Sequence, residues 1–97
     1  MQQIIWLDSA VDDLVRLRAF VEAKNPKAAK KIAKAIKKAT LKLETLPNTG
    51  KPVDDLPSYR DLHIPFGAAG YMLRYKIFQS KTYIVYIKHY RECCFNT

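Results

Sequence analysis

Four side chains able to move protons or grip an anion follow one another near the end of this chain. In the stretch IVYIKHYRECCF, residues 84 to 95, an alternating apolar run stops at Lys88 and gives way to His89, Tyr90, Arg91 and Glu92. An imidazole titrates near neutrality and can take or give a proton, a phenol beside it adds a hydroxyl, and an arginine can stabilise phosphate charge. With Arg60, Arg74 and Lys51 upstream, the set has the groups for metal-free RNA cleavage through the 2′-hydroxyl. An arginine in a strand can also clamp a carboxylate or phosphate with paired hydrogen bonds. The plainer reading is solvent cover at a strand end, with each arginine in an ordinary cross-strand ion pair, for instance with Asp61 or Glu92. His63 stands apart from these groups and reads as a surface residue of the first sheet hairpin.

Other chemistries lack their residues. The sequence contains no phosphate-cradling glycine loop, no GxSxG, no carboxylate pair suited to hydrolysis and no His/Cys metal spacing, so neither a cofactor nor a metal is expected. The two cysteines, Cys93 and Cys94, are adjacent, which fits neither a zinc site nor a disulfide framework and points to a reduced, cytoplasmic setting. The first residues, MQQIIWLDSA, carry no basic leader, and no run approaches the ~20 apolar residues of a membrane span.

The charge is strongly basic, +8 over 97 residues with a pI near 9.6, and it is uneven. Residues 26 to 46 hold seven of the twelve lysines against one acid, Glu44. Such a segment is either a solvated helix face or an attraction site for nucleic acid or an acidic protein, the latter weakening steeply with salt. No aromatic residue is interleaved with these lysines, so stacking of single strands is not indicated there.

The elements that must position these groups follow from the pattern. A single domain spanning 1–97 is expected from length and from a hydrophobic content of 48%. Gln3 to Leu7 is β-rich, and Asp8 and Ser9 are expected to cap a helix running from about Ser9 to Ala23 on the stripe Ala10, Leu14, Leu17, Val21. Asn25 followed by Pro26 is a good cap and first residue for a second helix. Its buried stripe is expected at Ala29, Ile32, Ala33, Ile36, Thr40, Leu43 and Leu46, with Lys27, Lys31, Lys34 and Lys38 among the lysines on the remaining surface. Residues 46 to 59, with three prolines and a glycine, read as a loop. Strands are then expected at Asp61–Ile64, Tyr71–Phe78 and Thr82–His89, joined by the loop FGAAG and the turn Gln79-Ser80-Lys81. The order β-α-α-β-β-β implies an α+β fold with a helical hairpin packed on a small, largely antiparallel sheet.

Six motifs in this order, WLDSAVDDL, NPKAAKKIAKAI, LETLPNTGKPV, YRDLHIP, GYMLRYKI and YIVYIKHYRE, resemble the RelE/ParE superfamily of bacterial type II toxins over essentially the whole chain. The resemblance implies a basic cytoplasmic toxin held inactive in a hetero-oligomer by a cognate antitoxin, with Lys27, Lys31, Lys34 and Lys38 as the surface for that acidic partner. The Asn-Pro helix start, the LP..G.P connector and the His-x-Arg-Glu ending look ParE-like, which implies action on DNA gyrase through contacts of Arg60, Arg74, His89, Arg91 and Glu92. The alternative it implies is a RelE-like, ribosome-dependent mRNA endoribonuclease using Arg60, Arg74, His89, Tyr90, Arg91 and Lys51. A second alternative is a basic nucleic-acid-binding module working through the lysine helix.

Overall fold

The computed structural model describes residues 2–66 and 70–89. Strand β1 (Gln3–Trp6) leads into helices α1 (Asp8–Lys24) and α2 (Pro26–Thr45), followed by β2 (Lys51–Val53), β3 (Leu56–Ile64), β4 (Tyr71–Phe78) and β5 (Lys81–His89). One sheet contains all five strands in the order β1-β5-β4-β3-β2. β1 lies parallel to β5, and every other pairing is antiparallel. The α+β class and the helical hairpin on a sheet are as expected.

One strand is additional, and it corrects the reading of residues 46 to 59 as loop. β2 pairs with β3 through Lys51 opposite Asp61 and Pro52 opposite Arg60, and β3 begins at Leu56 rather than Asp61. Proline cannot donate to a ladder, but at Pro52 it occupies the outermost strand, where that donor is not needed.

Asn25 serves both helices. Its N–H bonds to Val21 O at the end of α1, and its side-chain carbonyl accepts from Ala28 N at 3.2 Å at the start of α2, with Pro26 in the first turn. The start of α1 departs from expectation. Leu7 is its N-cap and no side chain caps it; Ser9 lies inside the first turn, and its hydroxyl donates to Val85 O at 2.6 Å.

The core lies between the helices and one face of the sheet. Ala10 and Leu17 of α1 and Ile32, Ile36 and Leu43 of α2 pack with Ile64, Tyr71, Leu73, Tyr75, Ile84 and Ile87 of the sheet. Each large apolar side chain withdrawn from water in this way contributes about 1.5–3 kcal/mol. Leu46, expected on the α2 stripe, follows the last helical residue and is 54% exposed.

Two turn positions limit side-chain choice. Gly70, at φ 118°, opens into β4, and a Cβ there would collide with the Ile64 carbonyl oxygen. The β4–β5 turn contains two residues, Gln79 and Ser80, because Lys81 already pairs with Phe78. Gln79 takes φ 57°, a conformation that costs an L-residue about 1 kcal/mol. Gln79→Gly should therefore raise stability by up to about 1 kcal/mol, read as a higher denaturant midpoint with an unchanged slope.

Candidate functional site

Pleating divides the candidate residues between two sheet faces. Opposed pairs share a face, so Arg60, opposite Tyr75, lies on the helix side. Arg74, opposite Asp61, lies on the open side. On the open side a row crosses four strands, Lys51, Asp61, Arg74 and Tyr86, flanked by the row Tyr59, Lys76, Tyr83 and the row His63, Met72, Lys88.

Arg74 donates from Nε and Nη2 to the two carboxylate oxygens of Asp61 at 2.8 and 2.9 Å, and its guanidinium carbon stands 5.1 Å from the Tyr86 ring centroid. The cross-strand ion pair with Asp61 is thus the observed arrangement, a planar fork matched to a carboxylate. Arg60 is turned the other way. Its Nη1 donates to Gly50 O at 2.7 Å and Asn48 O at 3.3 Å, fastening the connector between α2 and β2. The Tyr75 hydroxyl works on the same connector, accepting from Gly50 N at 2.9 Å and donating to Pro47 O at 2.6 Å. Burial pushes the Tyr75 phenol pKa up, against opposing effects of the Gly50 hydrogen bond and the Arg60 charge. Gly50 is required beside it, since a Cβ would stand 2.8 Å from the phenol oxygen.

His89 lies opposite Tyr71 on the helix side, its ring edge-on to the Tyr71 ring at 5.4 Å. Tyr71 and Tyr75 are four positions apart on β4, which separates His89 from Arg60 by about 13 Å along the sheet. The candidate residues grouped from the sequence are therefore dispersed: Arg60 and Arg74 stand mid-strand on opposite faces, and His89 lies at the end of β5. Tyr90, Arg91, Glu92, Cys93 and Cys94 lie outside the described residues.

The sequence reading missed a basic, aromatic open face. Lys76 stands over Tyr59 and Lys88 over Tyr86, each 5.6 Å from the ring centroid, and a hollow of about 360 Å³ lies among Leu7, Tyr59, Lys76, Phe78, Tyr83 and Val85. A larger hollow of about 650 Å³ is bordered by Gly50, Lys51, Asp61, His63 and Met72. Alternation alone puts Met72, Arg74, Lys76 and Phe78 on one side of β4, but the tyrosines that join them come from neighbouring strands and need the register. On the opposite layer, Lys27, Lys31, Lys34 and Lys38 are all exposed on α2. Among the described residues no group of three His, Cys, Asp or Glu could hold a metal ion, and no helix is long and apolar enough to cross a membrane.

The family model of the ParE toxin of the type II toxin-antitoxin system parDE matches residues 4–92. The chain belongs to the ParE toxin family. A relative, Toxin RelE1 of Caulobacter vibrioides, is 30% identical over 77 residues, 79% of this chain and 81% of its own length. A solved chain from the chromosomal ParDE TA system of P. aeruginosa superposes with a TM-score of 0.76 at 20% identity, covering 92% of this toxin and 96% of that chain. That likeness supports the fold: the toxin has its two helices on a five-stranded mixed sheet.

Proposed function

We propose that this toxin acts on DNA gyrase by protein contact, stalling the enzyme on cleaved DNA, and that a cognate antitoxin neutralises it in a hetero-oligomer. The observation that favours contact over bond-breaking is the dispersal of Arg60, Arg74 and His89. Arg60 holds backbone carbonyls on the helix side, Arg74 holds Asp61 on the open side, and His89 packs on Tyr71 at the far end. Concerted phosphoryl chemistry needs base, acid and phosphate clamp around one reacting centre. On this reading Arg74 and His89, together with Arg91 and Glu92, contribute target contacts near the end of β5, and Arg60 acts by fixing the connector. The antitoxin contributes acidic side chains to Lys27, Lys31, Lys34 and Lys38, where charge complementarity speeds encounter and fixes register. Neither a cofactor nor a membrane enters this account, and the site of action is the cytoplasm.

A second reading draws on the open face. Lys51, Lys76, Arg74 and Lys88 among Tyr59, Tyr83 and Tyr86 form a surface suited to phosphates and stacked bases, which favours ribosome-dependent mRNA cleavage. Purified toxin incubated with gyrase, supercoiled plasmid and ATP separates the two. Linear DNA released by protease and detergent is expected, and unimpeded gyrase activity without linear DNA transfers the assignment to the ribosome reading.

A further inference from the structure

Strand β5 outruns its parallel neighbour. The last β1 pairing is Trp6 with Ile84, so among the described residues no strand lies beside Val85 to His89 on that side. The same segment holds an irregularity. Arg74 faces Tyr86 while Tyr75 faces Ile84, which leaves Val85 as an extra residue. A bulge beyond the reach of β1 leaves the strand from Val85 to His89 in need of another element to fix it laterally.

α1 takes over where β1 stops. Leu7 N donates to Ile84 O at 3.1 Å, the Ser9 hydroxyl donates to the bulged Val85 O at 2.6 Å, and Ile87 N donates to Asp13 Oδ2 at 3.2 Å. The other Asp13 oxygen faces Lys88 Nζ at 3.6 Å and Arg16 Nη2 at 3.7 Å. The Asp13 side chain is only 14% exposed, so its charge is committed to these partners rather than to water. An aspartate in the second turn of a helix is not needed for helix formation. Here it serves as the acceptor that a sixth strand would otherwise supply.

We infer that Ser9 and Asp13 are positioning residues of the toxin, holding the last residues of β5 so that His89 meets the target in one orientation. The inference rests on the reading of that strand end as the target surface. Neither residue touches the target; they act through the Val85 carbonyl, the Ile87 amide and Lys88.

Asp13→Ala should expose the Ile87 amide, with its hydrogen exchange accelerating about 10-fold or more, while amides in the middle of β4 keep their protection. Growth arrest on induction should weaken at least about 10-fold, measured as the inducer level required and normalised to folded protein. Asp13→Asn retains an acceptor for Ile87 N–H and loses only the charge, so it should recover most of the protection and most of the arrest. That rescue distinguishes positioning from charge, and it keeps the test decisive if the alanine variant folds poorly. Fast Ile87 exchange with full growth arrest overturns the inference, as does unchanged Ile87 protection. His89→Ala and Arg91→Ala are measured alongside. If they leave arrest intact, the strand end is not the target surface, and both the site reading and the inference fall, although the clamp itself remains visible in Ile87 exchange. If they abolish arrest and Asp13→Ala does not, the positioning inference alone falls.

Discussion

Tyr75→Phe should lower the stability of the toxin by about 2–3 kcal/mol, and the thermal midpoint by roughly 10–20 °C for a domain of this size. The substitution removes one oxygen and leaves the ring in place, so no cavity opens. What is lost is a pair of hydrogen bonds in a buried position: Gly50 N–H loses its acceptor and Pro47 O loses its donor. Both groups belong to the connector that carries the chain from α2 into β2, and burial leaves little water to replace the phenol. Residual order from Arg60, which holds Gly50 O and Asn48 O, keeps the connector near its place. Loosening should therefore appear first as faster amide exchange at Gly50 and Lys51, with the core of β4 following only on global unfolding.

The pH dependence has a definite sign. Burial raises the phenol pKa above its ordinary value of about 10. The folded state thus favours the neutral phenol, and the associated stability is fully present below the unfolded pKa and is lost as pH rises through the folded one. Wild-type toxin should lose stability above about pH 10 more steeply than Tyr75→Phe, measured by denaturant midpoints across that range.

The second large effect concerns the lysine layer. Replacing Lys27, Lys31, Lys34 and Lys38 together by glutamine should weaken the antitoxin complex by about 2 kcal/mol, taking about 0.5 kcal/mol for each exposed pair, which is roughly 30-fold in Kd. Glutamine keeps helix propensity and most of the side-chain length, and the four positions are exposed, so the fold should be unaffected. The loss should fall mainly on the association rate and shrink as salt rises, because exposed charges are screened beyond about 10 Å at 0.1 M. Titration calorimetry at two salt concentrations checks this. An equal loss at both would show that screened charge attraction does not carry the contribution of these lysines.

Local chemistry made much of the fold legible. Asn25-Pro26 marks the helix boundary because one residue type caps and the other fixes φ, and both effects act within a few residues. The alternation of Tyr71, Leu73 and Tyr75 against Met72, Arg74 and Lys76 gives the faces of β4 directly. β2 was hidden because three residues containing Pro52 have no pattern of their own and become a strand only when β3 lies alongside. For Arg60 a signal was present: Leu62 and Ile64 point inward, so continuing the alternation back two residues turns Arg60 inward as well, once the strand is allowed to begin before Asp61. The role of Asp13 was not legible. It depends on where β1 ends relative to the bulge in β5, and its partner Ile87 is 74 residues away.

What the toxin acts on can be read in cells. Shortly after induction, gyrase should be recovered covalently attached to DNA, with ribosome-bound messages intact at their codons. Message cleavage within ribosomes, with gyrase recovered unattached to DNA, would contradict the account and make the open face of Lys51, Arg74, Lys76 and Tyr86 the site to mutate.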